Sequence, residues 1–284
     1  MSIVNYNGNK IWYEETGRGD PLVFLHNGGN DHRIWDHQVA HFSKTHRVIM
    51  VDHIGHGNSD RPAVDYTLPL FTGEVAALIE QLRLAPVTLI GHCIGAAMAL
   101  NYTLAHPADV RRLVLFNVAT EKTLLAGPLA DIYRNFSADP AALEAFVTAM
   151  ESSSLPREQT ESGLQLQLGA SRVADDPEFA DYIHRLYNQK GQMRTLYNNL
   201  AQFATFRVLD RFTKPRKFPP VLLIWGESNQ VLPRQAGEEV RQRLQPDRCA
   251  FLEDCGHLAM RERPLEINKM IEEFLMAPAM AQAR

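Results

Sequence analysis

The chain has 284 residues, of which 45% are hydrophobic and 22% are charged. These values are typical of a globular protein and exclude a disordered, collagen-like or low-complexity chain. The 29 basic and 33 acidic residues leave a net charge of −4, so there is no basic surplus for nucleic acid or an anionic membrane. The length fits one large α/β domain or two domains of about 150 residues.

Export, disulfide and cofactor signals are absent from the sequence pattern. No run of about 18 apolar residues suggests a membrane span, and the first residues lack the basic and apolar regions of a signal peptide. The three cysteines, Cys93, Cys249 and Cys255, are an odd number without CxxC spacing, which disfavours a disulfide framework or a zinc knuckle. We therefore expect a cytoplasmic protein, and no motif predicts a metal or an organic cofactor.

Short apolar runs alternate with helical patterns through the first 118 residues. The predicted strands are 11–13, 21–25, 47–51, 87–90 and 112–116, and the predicted helices are about 33–44, 72–84 and 93–105. Runs with few polar positions indicate strands that are buried on both faces, as in a parallel sheet. Their alternation with helices predicts an α/β fold with a doubly wound sheet.

The pattern changes after residue 118. Residues 119–213 contain no convincing strand and have a helical pattern with scattered aromatic residues. An apolar run at 221–225 then restarts the α/β pattern, followed by a last strand at 250–252 and a last helix at 264–275. We therefore predict one core formed by residues 1–118 and 214–284, interrupted by a helical insertion at 119–213.

The segment Gly91-His92-Cys93-Ile94-Gly95 connects the run 87–90 to a helix of small residues. A G-x-C-x-G turn between a strand and a helix is typical of a nucleophile elbow, because the flanking glycines allow a tight turn that projects the central side chain. The helix N-terminus and the Ile94 amide would stabilise an anion formed there. This context favours a reactive Cys93 over a cysteine that only fills the core.

Six landmarks in chain order resemble the α/β-hydrolase superfamily. They are the turn 26–29, Asp52 with the glycine-rich 55–60, the elbow, the insertion, the loop 225–233, and Gly256-His257. The resemblance implies a mostly parallel twisted sheet with helices on both faces and a helical cap at 119–213. It also implies a Cys93 nucleophile, a His257 base, Asn229 as the residue that orients His257, and an oxyanion hole from the Gly28 and Ile94 amides.

Three residues depart from the family pattern. Cys93 stands where most members have Ser, Asn229 where the loop usually carries Asp, and Asn27 where Gly is usual. We expect Asn229 to orient His257 through its amide oxygen, and a Cys⁻/His⁺ pair to make its missing charge tolerable, as in papain-like Cys-His-Asn enzymes. Two carboxylates, Glu121 and Glu227, are alternative partners for His257, and a site without any acid is a third alternative.

The resemblance and these departures predict acyl transfer through a thioacyl-Cys93 intermediate. The first expectation is a hydrolase of a small ester, lactone or thioester. The alternative is an acyl- or aminoacyltransferase that moves its group between thiols, with an acyl-carrier or peptidyl-carrier protein as partner, because thiols exchange acyl groups at little cost in free energy. A non-catalytic ligand-binding member of the fold is a third hypothesis. Asn27 either contacts substrate or only fits its turn.

Overall fold

The computed structural model describes residues 2–210 and 212–277. An eight-stranded sheet forms its centre, with strand order β1-β2-β4-β3-β5-β6-β7-β8. The pairs β1–β2 and β2–β4 are antiparallel, and all other neighbouring strands are parallel. The strands are β1 Ser2–Tyr6, β2 Asn9–Thr16, β3 Pro21–Leu25, β4 Arg47–Val51, β5 Val87–His92, β6 Val110–Phe116, β7 Val221–Gly226 and β8 Arg248–Leu252.

Helices cover both faces of this sheet. The helices of the chain are α1 Asp36–Phe42, α2 Leu68–Leu82, α3 Ile94–Ala105, α4 Glu121–Leu125, α5 Ala130–Ala138, α6 Pro140–Glu151, α7 Arg157–Gln165, α8 Pro177–Tyr187, α9 Gln192–Ala201, α10 Arg234–Leu244, α11 Ala259–Glu262 and α12 Pro264–Met276. One apolar cluster joins the sheet to α2, α3 and α10. A second cluster joins the opposite face to α1, α11 and α12.

Successive residues of the central strands belong to different clusters. In β6, Leu113 and Leu115 pack with the α3 side, whereas Val114 and Phe116 pack with the α12 side. Side chains alternate between the two faces of a strand, so a strand covered on both faces needs apolar residues at nearly every position. This explains the continuous apolar runs and confirms the doubly wound α/β sheet expected from them, which is also the mostly parallel sheet that the resemblance implies.

The predicted elements agree with the observed ones, with two notable differences. The second helix begins at Leu68 rather than at residue 72, because Thr67 caps it by accepting a hydrogen bond from the Leu70 amide and because Pro69 lies in its first turn. The first strand, Ser2–Tyr6, was not predicted. It is an edge strand that pairs only with β2 and buries a single residue, Val4, so its sequence carries little strand signal.

Between β6 and β7 the described residues form helices α4–α9 and no strand. Helix α9 contacts α5, α6 and α8. Across residues 2–210 and 212–277, no helix combines the length and the apolar character that a membrane span requires.

Candidate active site

Cys93 lies at a tight turn between β5 and α3. Its φ of 56° and ψ of −110° are unusual for a residue with a side chain. The Cys93 amide donates to the Phe116 carbonyl over 2.9 Å, which holds the turn against β6. A Cβ atom at Gly91 would overlap the Gly95 carbonyl, and a Cβ atom at Gly95 would overlap the carbonyl that ends β3. The two glycines of the motif are therefore required by the close packing of this turn.

Two backbone amides point at the Cys93 sulfur. They belong to Gly28 and Ile94, and both act to lower the pKa of the thiol, but burial has the larger effect and raises this pKa to about 12. His26 braces the loop that carries Gly28, because its Nδ1 donates to the Asn27 carbonyl over 2.7 Å and its Nε2 accepts from the His53 amide over 3.0 Å. The site therefore holds a protonated thiol beside two preorganised donors.

A cavity of about 860 Å³ is lined by five of the predicted site residues, but not by Asn229 or Glu121. Cys93, His257, Gly28, Ile94 and Asn27 all line it. The rest of its wall comes largely from the helices between β6 and β7. The structure thus brings residues from three separate segments of the core to one cavity, and the helical segment supplies most of the remaining wall.

Asn229 contacts His257 in the orientation opposite to the one expected. Its amide nitrogen, Nδ2, donates to His257 Nδ1 over 3.0 Å. Its oxygen accepts from the Val231 and Leu232 amides, each over 2.9 Å. Turning the amide over would place its NH₂ group against two N–H donors, so these backbone amides fix its orientation. The expectation that the amide oxygen orients His257 is therefore wrong.

This contact determines the protonation of His257. Since Nδ1 accepts a hydrogen bond, the proton of the neutral ring resides on Nε2. Burial lowers the pKa of His257 to about 3, so the ring is uncharged at neutral pH. Burial therefore disfavours the expected Cys⁻/His⁺ pair, because it favours the neutral form of both partners. Within the described residues, no hydrogen bond joins the thiol to the ring.

The alternative acids are engaged elsewhere. Glu121 accepts from the Tyr133 hydroxyl over 2.6 Å and from Arg207 over 2.7 Å. Glu227 forms an ion pair with Arg234 at 3.0 Å. Neither carboxylate is a hydrogen-bond partner of the imidazole among the described residues, which leaves Asn229 as its side-chain partner.

Comparisons with known proteins agree with the fold. A family model for the alpha/beta hydrolase fold matches residues 20–264. The chain belongs to this family. It is 25% identical over 283 residues to the AB hydrolase superfamily protein YisY of Bacillus subtilis (strain 168), covering 93% of this chain and 94% of that protein.

Two further similar proteins carry named activities. Epoxide hydrolase 3 of Xenopus tropicalis is 24% identical over 284 residues, covering 95% of this chain and 75% of that protein. The solved structure of Est816, described as an N-acyl homoserine lactone degrading enzyme, is 24% identical and has a TM-score of 0.76, covering 96% of this chain and all of that one.

Two residues that form hydrogen bonds with the backbone of His257 were not predicted. Asn117 donates from Nδ2 to the His257 carbonyl over 2.9 Å and accepts from the Gly226 amide over 3.3 Å. The backbone oxygen of Gln167 accepts from the His257 amide over 2.8 Å, and its side chain faces Asn27. Asn117 follows β6 directly, which is a usable sequence signal, whereas Gln167 lies in the helical segment and carries none.

Helix α9 contacts the loop that carries the oxyanion amides. Gln192 donates from Nε2 to the Gly29 carbonyl over 3.0 Å in a buried position. Leu196 covers the neighbouring glycines: a Cβ atom at Gly29 would lie 3.3 Å from its side chain, and one at Gly28 would lie 3.6 Å from it. The helical segment therefore touches the candidate oxyanion hole directly.

A separate cluster of Asp31, His32 and Asp52 has potential metal ligands within 4.8 Å of one another. The oxygen and nitrogen atoms of these three side chains already form hydrogen bonds within the protein. Asp52 accepts from the His32 ring and amide and from Asn58, and Asp31 is bonded to the Tyr182 hydroxyl. These contacts tie loops together, and we assign no metal to the cluster.

Proposed function

We propose that the chain is a hydrolase-type acyl-transfer enzyme in which Cys93 takes the acyl group of a small ester, lactone or thioester. The observation that carries this proposal is the Cys93 sulfur at the elbow, with the Gly28 and Ile94 amides directed at it in a cavity that also holds His257. The hydrolase name of the Xenopus relative and the lactone degradation ascribed to Est816 support hydrolase-type activity.

In the first step, with a thioester as donor, the bond from Sγ to the acyl carbon forms and the bond to the leaving sulfur breaks. The Cys93 proton ends on the leaving thiolate, so the step is balanced without any further reactant. The Gly28 and Ile94 amides stabilise the oxyanion. His257 donates a hydrogen bond from Nε2–H to the leaving sulfur and keeps its proton, which is the role its tautomer allows.

The second step transfers the acyl group from Cys93 to an acceptor. Water as acceptor gives a carboxylic acid and makes the enzyme a hydrolase. This path needs a base, but His257 Nε2 already carries a proton and Nδ1 faces the Asn229 amide. The triad we propose, Cys93-His257-Asn229, is therefore a weak activator of water.

A carrier thiol is the second candidate acceptor, and the orientation of Asn229 favours it. A thiol with an ordinary pKa near 8.5 is ionised to a few per cent at pH 7 and is intrinsically a strong nucleophile. It needs no help from His257. Under this alternative the enzyme is an acyltransferase, and the partner is an acyl-carrier or peptidyl-carrier protein.

We also propose that residues 119–213 form the cap that selects the acyl group. Helices α6 and α9 of this segment supply Phe146, Met150 and Leu196 to the cavity wall. Substrate selection by this segment follows from that position.

Intact-mass measurement after incubation with acyl thioesters tests the proposal. We expect one acyl adduct on the parent protein and on Cys249→Ser, which removes an exposed thiol, and none on Cys93→Ala. An adduct that persists in water but is discharged by added thiol indicates the transferase. Thioester consumption that requires Cys93 without a lasting adduct indicates the hydrolase. Neither adduct nor consumption would contradict the proposal and favour the ligand-binding hypothesis.

A further inference from the structure

The cavity that holds Cys93 has no charged wall. Among the described residues that line it, none is Asp, Glu, Lys or Arg. Aliphatic and aromatic side chains predominate, and the polar ones are amides, hydroxyls, the thiol and the neutral His257 ring. At about 860 Å³, the cavity is at the upper end of the usual range for small-molecule sites.

Two ion-paired groups on the surrounding helices lie next to the cavity, and neither contributes a residue to its lining. Arg194, next to the lining residue Met193, bonds to Glu144 over 2.6 Å and to Glu151 over 2.8 Å. Glu121 is held by Arg207. These pairs leave no counter-charge directed at a ligand inside.

One wall of the cavity is polar but neutral, and it lies beside the oxyanion loop. Asn27 Nδ2 is 3.4 Å from Gln167 Oε1. Gln167 Nε2 makes only long contacts, 3.5 Å to the Gly163 carbonyl and 3.4 Å to the Tyr187 hydroxyl. Hydrogen bonds of this length are weak, so both amide groups retain donor capacity for a ligand oxygen. We call Asn27, Gln167 and Tyr187 the amide wall.

We propose that the acyl group accepted by Cys93 is electrically neutral and mainly apolar. Its only polar group is a carbonyl or hydroxyl oxygen. That oxygen binds at the amide wall. An ammonium or carboxylate group would be buried without a counter-charge, which is costly. This inference rests on the proposed function. It restricts the transferase alternative to acyl groups without an amino group and so excludes aminoacyl transfer.

The test compares two thioesters that differ by one ammonium group. They are the 4-methylpentanoyl and leucyl thioesters of N-acetylcysteamine, and the readout is the second-order rate of Cys93 acylation at pH 7 followed by intact mass. We expect the neutral group to react at least about a hundredfold faster, since an unpaired buried ammonium is strongly disfavoured. Equal rates, or faster reaction of the leucyl thioester, would overturn the proposal.

A series of straight-chain acyl groups tests the apolar part. Burying one methylene is worth about 0.8 kcal/mol, so the acylation rate should rise by about fourfold per methylene until the cavity is filled. A rate that does not change from acetyl to decanoyl would contradict an apolar acyl site.

Binding to the Cys93→Ala variant separates this inference from the proposed function. If no thioester acylates Cys93 in the parent protein, the proposed function fails. Calorimetry with decanamide and decylammonium on Cys93→Ala then still tests the cavity. Tighter binding of the neutral amide supports the inference, and equal or tighter binding of the ammonium overturns it.

A matched pair of variants tests the need for an uncharged wall. Leu129 lines the cavity in a half-buried position, and Leu129→Glu and Leu129→Gln differ by one charge at nearly equal size. We expect Leu129→Glu to acylate with the decanoyl group at least about tenfold more slowly than Leu129→Gln. Equal rates in the two variants would show that a charge is tolerated there, against the proposal.

Discussion

The side chain of Asn229 could present either its oxygen or its nitrogen to His257, and this choice determines whether His257 can act as a base. A carboxylate in this place would accept the Nδ1 proton and leave Nε2 free to act as a base. The amide nitrogen instead donates to Nδ1 and leaves the proton on Nε2. The same exchange in a serine protease triad is known to give the wrong tautomer and a large loss of activity. A cysteine nucleophile is less dependent on a base, which is consistent with Cys93 and Asn229 occurring together.

Asn229→Asp should accelerate hydrolysis of the thioacyl enzyme. One carboxylate oxygen can keep the Val231 and Leu232 hydrogen bonds while the other accepts from His257 Nδ1, so Nε2 becomes a base for water. We expect deacylation about 10²-fold faster, in the range of general base catalysis, measured as decay of the acyl adduct by mass. Asn229→Leu, which places no acceptor at Nδ1, is the control. Equal rates for both variants and the parent would rule out this account of His257.

Cys93→Ser should be inactive alone and regain activity together with Asn229→Asp. A serine hydroxyl needs a base at Nε2, which only the second substitution supplies. We expect the double variant to exceed Cys93→Ser by about 10²-fold or more in kcat/KM on an activated ester. The four members of this cycle measure the coupling between residues 93 and 229. Additive effects would mean that the two residues act independently.

At the scale of elements, one carboxylate connects the His257 loop to the helical segment. Glu262 of α11 accepts from the Gly256 amide over 2.7 Å and from the Gly169 amide over 2.8 Å. Gly256 precedes His257, and Gly169 lies between α7 and α8. This carboxylate therefore fixes the position of the histidine relative to the cavity wall.

Glu262→Gln should weaken both stability and catalysis. The NH₂ group of the introduced side chain cannot accept a hydrogen bond from a backbone amide. One of the two backbone N–H groups therefore loses its acceptor, which costs about 1–3 kcal/mol of stability. We expect the free energy of unfolding in urea to fall by this amount and kcat to fall with it. Glu266→Gln is the control, because Glu266 is exposed and pairs with Arg263 at 3.5 Å; it should change stability by less than about 1 kcal/mol. Similar losses in both variants would argue against a special role of Glu262.

The sequence predicted some of the strand bounds and the motif residues, but not the contacts that form only in the folded chain. The bounds of β3 and β4 follow from apolar runs alone, because burial on both faces leaves a clear signal. The placement of Cys93 and His257 follows from their motifs. The orientation of Asn229 could not be predicted, because it depends on two backbone amides that only the folded loop brings together. Gln167 could not be found because its contacts with the site residues Asn27 and His257 join distant parts of the chain.

At the scale of the whole molecule, four histidines are buried in their neutral form. Burial is the largest cause that lowers their pKa, to about 3 for His56 and His257 and well below the ordinary value for His26 and His92. The unfolded chain takes up protons on these residues near pH 6.5, and the folded chain does not. Their contribution to stability is therefore complete above pH 6.5 and is lost as the pH falls.

Lowering the pH from 7.5 to 5.5 should reduce the free energy of unfolding by about 3–5 kcal/mol, since each such histidine contributes about 1.4 kcal/mol per pH unit below 6.5. Asp31, whose pKa burial raises to about 6, and His32, whose pKa Asp52 raises against the effect of burial, act in the opposite direction and are included in this range. Urea unfolding at both pH values measures it. His92→Leu should lose about one histidine's share of the dependence, and stability that does not change with pH would contradict the assignment.

The contact of α9 with the loop at Gly28 and Gly29 has a kinetic consequence. A motion that lifts α9 to admit substrate must break the hydrogen bond from Gln192 to Gly29 and withdraw Leu196 from the two glycines. A form with α9 displaced would therefore lack this support of the oxyanion amides. If substrate enters by such a displacement, its entry and the assembly of the oxyanion donors are coupled, and the rate of reopening limits turnover.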